Sequence, residues 1–287
     1  ITGYDDKGSY KKAYYEIYPS KPYIIDEITY SISDTIIRDY VMEIADNLPV
    51  KEGDIYNAFN LDNERDLITE HLKNNGYYYF TQDYIYMEVD TNYSTRIAKI
   101  NIRIDNVVDP ITLKEENHKQ FYINNIYIYP KGNVNGRFRV DTIPYTFNLG
   151  KHIGDETFNF IYRENPGIRF KTFDNIIQIR TGSLYDLQDV SLTYKALNNL
   201  KIYNLNNIDF EQVEDDNDSI NLLDCNITLN RAKLNYYSIQ LEGTNSSGDL
   251  GILGSFTYRN KNIVRGSEIF NISLRAGTQA QSVLDDA

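Results

Sequence analysis

The stretch Tyr23-Ile24-Ile25-Asp26-Glu27-Ile28 returns later as Phe121-Tyr122-Ile123-Asn124-Asn125-Ile126: an aromatic, any residue, Ile, two polar residues, Ile. A second pair keeps the same order, Gly53-Asp54-Ile55-Tyr56 and then Gly182-Ser183-Leu184-Tyr185. Such self-similarity points to two copies of one supersecondary unit. The first pair is offset by 98 residues (23 to 121) and the second by 129 (53 to 182), so the second copy carries about 31 extra residues. The stretch of about 130–166, with Gly132, Gly136, Pro144, Gly150 and Gly154, reads as that insertion.

Around these motifs the periodicity supplies the elements. In the first copy an extended run, Tyr23 to Ile32, is followed by a helix with Ser33 as N-cap and Ile36, Ile37, Tyr40, Val41 and Ile44 on one stripe. Asn47-Leu48-Pro49 stops it. A second helix from near Leu61 puts Leu61, Arg65, Ile68 and Leu72 on one face with Leu67 beside them, and Gly76 follows it as the C′ residue. Tyr77 to Val89 and Thr95 to Ile104 then read as strands, the latter with Ile100, Ile102 and Ile104 facing one way and Asn101 and Arg103 the other. The order is β-α-α-β-β. The second copy predicts a strand over 120–129, the insertion, a short helix with Phe173, Ile176 and Ile177, a helix over about 189–200, and strands near 202–213 and 219–229 about the acidic turn 214–218.

After residue 231 the pattern changes. Tyr237, Ile239 and Leu241 alternate with Ser238, Gln240 and Glu242; Leu250, Ile252, Phe256 and Tyr258 alternate with Gly251, Ser255, Thr257 and Arg259; Phe270, Ile272, Leu274 and Ala276 alternate with Asn271, Ser273, Arg275 and Gly277. Three such strands of nine to eleven residues suit a membrane barrel wall with one face toward lipid and one wet. A half-exposed soluble sheet gives the same alternation.

Composition removes other classes. In 287 residues there are 29 Lys+Arg against 41 Asp+Glu, a net charge of -12, with no basic patch, so a phosphate backbone would be repelled and no nucleic-acid partner is expected. The 26 Tyr and absent Trp favour strands and half-wet surfaces. The single cysteine, Cys225, sits on the apolar side of Leu223-x-Cys225-x-Ile227, where it reads as a small buried hydrophobe. His71, His118 and His152 lack metal-ligand spacing, and there is no nucleophile elbow, phosphate loop or EF-hand pattern. No enzyme activity, metal or cofactor is expected. No run of 18 apolar residues offers a transmembrane helix, and the opening Ile1 without a leader reads as a mature or trimmed fragment.

The β-α-α-β-β repeat, with Gly-x-[Ile/Leu]-Tyr before its second helix and Asn75-Gly76-Tyr77 after it, resembles the POTRA domain of the BamA/TamA outer-membrane assembly family. The segment Arg259-Asn260-Lys261-Asn262-Ile263-Val264-Arg265-Gly266-Ser267-Glu268 is similar to that family's turn between its second and third barrel strands. The resemblance implies an α+β chain: 1–20 the end of a preceding POTRA domain, 21–106 a POTRA domain, 107–119 a linker, 120–230 a POTRA domain with the insertion, and 231–287 the first three barrel strands, truncated. The insertion resembles a TamA-like branch more than BamA. A POTRA domain's second strand is implied to lie at the sheet edge with the third in the middle, so the edge would run from Tyr79 to Glu88, with Tyr79, Thr81, Tyr84, Ile85, Tyr86 and Glu88 at a groove for an unfolded client. Tyr237, Ile239 and Leu241 would face lipid on the first barrel strand. The implied partners are unfolded outer-membrane proteins, the outer membrane through the missing barrel, and accessory periplasmic proteins or lipoproteins; the implied place is the outer membrane, with this portion in the periplasm. A different reading of the same Tyr-rich surfaces is a secreted adhesin or carbohydrate-binding α+β protein.

Overall fold

A computed structural model describes residues 3–7, 10–16, 18, 21–130, 141–149, 155–162, 167–213, 220–246 and 249–280. The chain divides into two compact units, the first made of Ile1–Leu72 and Tyr79–His118, the second of Lys73–Tyr78 and Lys119–Ala287.

In the first unit a hairpin of β1 (Gly3–Lys7) and β2 (Tyr10–Tyr14) precedes β3 (Ile24–Ile32), α1 (Thr35–Ile44), α2 (Ala58–Asn74), β4 (Ile85–Asn92) and β5 (Ile97–Ile104). The sheet order is β3-β5-β4, with β5 in the middle, parallel to β3 and antiparallel to β4. Ile37 and Val41 of α1 and Leu61, Ile68 and Leu72 of α2 are buried, as are Ile100, Ile102 and Ile104 on one side of β5. Each such side chain is worth about 1.5–3 kcal/mol on leaving water. The N-cap of α1 is Asp34 rather than Ser33: its Oδ1 accepts from the N–H groups of Ile36 (2.9 Å) and Ile37 (3.3 Å). A carboxylate there both caps and meets the positive end of the helix. Ile36, placed on the inner stripe by periodicity, is exposed. A short antiparallel pair, β6 (Val107–Val108) with β7 (Glu115–Glu116), closes the unit.

The second unit repeats the plan and enlarges it. It contains β8 (Phe121–Tyr129), β9 (Asp141–Asn148), β10 (Asp155–Tyr162), α3 (Leu187–Asn199), β11 (Tyr203–Val213) and β12 (Asn221–Arg231). The order β11-β12-β8-β10-β9 is a five-stranded sheet where three strands were expected. The insertion is the cause. Its hairpin β9–β10 joins the free side of β8, with β10 parallel to it, and buries Phe158 and Phe160 on one side of β10. Pro144 lies on outermost β9, where a missing N–H does little harm. The expected short helix is only a 3-10 turn, Phe170–Phe173, so among the described residues this copy has one α-helix, not two; Phe173 and Ile177 are buried all the same. The acidic turn 214–218 lies outside the described residues.

The repeated motifs occupy the same geometry in both units. Ile25 N–H donates to Asp54 C=O (2.9 Å), Gly53 N–H to Ile25 C=O (2.7 Å) and Tyr56 N–H to Tyr23 C=O (2.9 Å). The second set is Ile123 to Ser183 (2.8 Å), Gly182 to Ile123 (2.7 Å) and Tyr185 to Phe121 (2.9 Å). Gly53 (φ 87°) and Gly182 (φ 76°) take the left-handed conformation that this turn demands. The two polar residues inside each strand motif also gain a reason: the ladder skips a residue there, between Ile25 and Glu27 and again between Ile123 and Ile126. This bulge puts Ile123, Ile126 and Ile128 on one buried face despite the odd spacing. Asp224 fills the second bulge, accepting from Asn124 Nδ2 (2.9 Å) and Asn125 N–H (3.1 Å).

The unit ends in an antiparallel meander, β13 (Asn235–Ser246), β14 (Asp249–Asn260) and β15 (Phe270–Gln279). Pairs such as Ile239 with Phe256, and Phe256 with Leu274, align the apolar residues across one face.

Candidate functional site

An extended guest needs a strand edge with unpaired N–H and C=O groups. The first sheet has two edges. That of β3 is partly taken, because the Gly53 turn pairs with Ile25 and Glu52 Oε1 accepts from Ile28 N–H (3.2 Å). The outer side of β4 carries no such cover among the described residues.

The edge runs over Ile85–Asn92, not Tyr79 to Glu88 as the resemblance implied. Tyr79 and Thr81 lie before the strand, and Tyr84 ends a 3-10 turn (Gln82–Tyr84) in which its N–H donates to Thr81 C=O (3.2 Å). Arg65 Nη2 on α2 donates to Gln82 C=O (2.9 Å) and fixes this turn. Tyr84 packs on Phe80 and on His118, with ring centroids 5.7 and 4.5 Å away. The His118 Nε2 lies 2.9 Å from Asp105 C=O, and burial lowers its pKa. These groups anchor the start of β4.

The direction of the edge groups follows from the register. Asp105 N–H donates to Tyr84 C=O (3.0 Å), one step beyond the pair Ile85–Ile104. Antiparallel ladders alternate, so Tyr86, Glu88 and Asp90 direct their backbone groups at β5, while Ile85, Met87, Val89 and Thr91 direct theirs outward. The Ile85 side chain is buried in the core. Tyr86 and Glu88 fold back across the sheet: Arg103 sits 4.7 Å over the Tyr86 ring, Arg103 Nη1 is 2.8 Å from Glu88 Oε1, and Asn101 Nδ2 donates to Glu88 Oε2 (3.0 Å). The edge is thus left clear. Beside it runs a groove of about 530 Å³ between α2 and β4, lined among others by Tyr56, Leu61, Arg65, Ile85, Met87 and Val89.

Sequence reasoning missed Glu64. It is fully buried on α2, its Oε2 accepts from Val50 N–H (3.0 Å), and its Oε1 has no partner among the described residues. Desolvation raises its pKa to about 7, against the pull of that hydrogen bond. Its counterpart at the 129-residue offset (64 to 193) is Thr193, also fully buried, whose Oγ1 accepts from Gln178 N–H (2.8 Å). A polar residue at this helix position satisfies the chain that leads into the Gly turn. The repeat offset, applied to polar residues, would have found it.

On the terminal meander Tyr237, Ile239 and Leu241 share the exposed apolar face, the last two at 82% and 78% exposure. Leu250, Ile252 and Leu274 extend it. A face this apolar and this bare asks for cover. Strands of twelve residues are about 40 Å long and, at about 45° tilt, cross about 28 Å, close to a bilayer core. Among the described residues no helix is long and apolar enough to cross a membrane.

Comparison with known proteins gives this arrangement its context. Residues 23–107 match the family model described as POTRA, surface antigen variable number repeat. Among solved structures the chain is similar to BamA from Haemophilus ducreyi lacking POTRA domains 1-3, with 13% identity and a TM-score of 0.52, covering 90% of this chain and 37% of that one. It is also similar to CdiB from Acinetobacter baumannii (11% identity, TM-score 0.39, 91% of this chain and 39% of that). POTRA1-2 of the periplasmic domain of Omp85 from Anabaena follows at 10% identity and a TM-score of 0.32, with 75% of this chain and 100% of that covered. The chain therefore spans little more than a third of the BamA structure it matches. No curated protein matches it.

Proposed function

We propose that this chain, whose residues 23–107 match the POTRA family model and whose fold is similar to that of a BamA structure, belongs to the Omp85/BamA family and is the client-handling part of an outer-membrane β-barrel assembly or translocation protein. It binds and guides rather than catalyses. An unfolded barrel precursor adds as a strand to β4, pairing with the outward groups of Ile85, Met87, Val89 and Thr91. Main-chain pairing makes little demand on sequence, which suits a protein that receives many different clients. The single observation carrying this reading is the uncovered edge of β4, whose neighbouring side chains lean inward. Tyr86 and Glu88 shape the outer rim, while Tyr79, Thr81 and Tyr84 set the strand's start instead of touching the guest. Tyr237, Ile239 and Leu241 face lipid in the outer membrane, and the POTRA units stand in the periplasm. The adhesin alternative needs Tyr-rich faces for stacking on sugars; the barest apolar face is instead the Ile/Leu face of β13 and β14, better matched to lipid.

The test is depletion of the full-length protein followed by complementation. Outer-membrane protein levels fall on depletion and recover with the parent but not with Met87→Pro, which removes one outward donor and no ladder bond. Client levels that stay constant through depletion reject the assembly role; full rescue by Met87→Pro rejects the edge.

A further inference from the structure

A strand added to β4 would have two faces, and β4 offers each a different chemistry. Side chains of paired residues lie on the same side of a sheet, whichever way the guest runs. Guest residues opposite Met87 and Val89 therefore turn into the groove of about 530 Å³ beside α2. Guest residues opposite Glu88 and Asp90 turn to the other face, where both carboxylates are exposed.

That other face is ordered by charge. In register, Glu27 of β3 and Asp90 of β4 flank Lys99 of β5, and Thr29 and Glu88 flank Asn101. A depression of about 380 Å³ opens over these two rows. The cations stand on the middle strand and are already engaged. Lys99 Nζ lies 2.7 Å from Glu27 Oε2, Arg103 Nη1 lies 2.8 Å from Glu88 Oε1, and Arg103 Nε lies 2.9 Å from Asp105 Oδ1. Lys99 is thus drawn away from Asp90, whose carboxylate has no ion pair or hydrogen bond among the described residues. Strand β4 itself carries Glu88 and Asp90 and no cation. On the groove side Asp62 and Asp83 outnumber Arg65, which is 3.8 Å from Asp62 and donates to Gln82 C=O. The edge is therefore anionic on both faces.

We infer that the β4 edge selects its guests by charge, taking extended segments with Lys or Arg opposite Glu88 and Asp90 and disfavouring Asp or Glu there. The inference rests on strand addition at β4 and names the class of segment that adds. In an antiparallel guest, the residues opposite Met87 and Val89 form the hydrogen-bonded pairs. Those opposite Glu88 and Asp90 fall in the non-hydrogen-bonded pairs, where cross-strand side chains stand closest. A cation opposite Asp90 supplies the partner that Lys99 withholds. Exposed ion pairs are individually weak, so selection comes from four small effects: an attraction gained and a repulsion avoided at each of two positions. Together they give a preference of about tenfold for Lys over Glu at low salt.

The experiment titrates two fluorescent peptides onto the full-length protein in detergent micelles and reads anisotropy. One is acetyl-Ser-Val-Lys-Leu-Lys-Val-Ser-amide; its twin has Glu in place of both Lys. The Lys peptide should bind about tenfold tighter at low salt, and high salt should flatten the difference. Glu88→Gln with Asp90→Asn should bring the ratio of the two affinities close to one. Glu115→Gln with Glu116→Gln removes as much charge from β7 and should leave the ratio as it is in the parent. That control separates the edge from the attraction of any cation to a chain of net charge -12. Equal binding of the two peptides by the parent, with both lost in Met87→Pro, overturns charge selection and leaves the edge standing. Peptides that bind Met87→Pro as tightly as the parent, or that do not bind the parent at all, overturn the edge reading and the inference with it. A ratio that survives in the β4 variant, or that falls equally in the β7 variant, also overturns the inference.

Discussion

Replacing Glu64 with glutamine should make the first unit more stable at pH 8 and no more stable at pH 4.5. The carboxyl is sealed in the core with one oxygen on Val50 N–H and the other unpartnered, and burial holds its pKa at about 7 against 4.5 when free. A carboxyl raised on folding favours the native state in its protonated form. Its contribution is therefore whole below about pH 4.5, is lost as pH climbs through 7, and stays lost above. A gap of that size corresponds to roughly 3 kcal/mol of lost stability at the alkaline plateau. Glutamine never ionises and keeps an oxygen for Val50 N–H, but its buried amide needs a partner and surrenders about 1 kcal/mol. The net expectation at pH 8 is a gain of roughly 2 kcal/mol. Urea titrations at pH 4.5, 6 and 8, read from the methyl resonances of Ile37 and Ile68 in the same core, resolve this unit from the other. A parent midpoint that does not move between pH 5 and pH 8, or a glutamine variant weaker than the parent at pH 8, would refute the reasoning.

Two substitutions test neighbouring parts of the account. Gly76→Ala must bear both a left-handed alanine and a clash with Leu184, together roughly 2–4 kcal/mol, whereas Gly53→Ala has the same backbone demand with open space around it and should cost about 1 kcal/mol; thermal unfolding midpoints compare them directly. Leu241→Arg on the bare face of β13 should impair folding of the full-length protein into lipid vesicles by roughly 2–4 kcal/mol if it sits near the midplane, while Gln240→Arg on the wet face should not; equal behaviour would remove lipid from the picture.

Much of the fold is legible in the sequence because the apolar spacing states it. The stripe Ile37–Val41, the alternation of β5 and the alternating tail all lie where their periods put them. The repeat was legible for a subtler reason, since its glycines and polar pairs mark a turn and a bulge that geometry forces on both copies. The misplaced edge has an equally physical cause. Tyr77, Tyr78, Tyr79 and Phe80 are strong strand formers, yet Tyr77 and Phe80 are buried anchors after a left-handed Gly76, and a 3-10 turn delays the strand to Ile85. Tertiary anchoring outweighed local propensity. In the insertion the glycines and prolines mask two strands whose alternating Phe158 and Phe160 carry the core. Glu64 was passed over because periodicity counts only apolar residues, and its buried place shows only when the two copies are overlaid.

Backbone amide exchange at β4, measured with and without an extended peptide taken from an outer-membrane barrel strand, bears most directly on the proposed role of that edge. Binding should newly protect the amides of Met87, Val89 and Thr91, which face outward, and leave Tyr86 and Glu88, already paired with β5, unchanged. Protection that appears on β11 or on the meander instead, with β4 untouched, would contradict it.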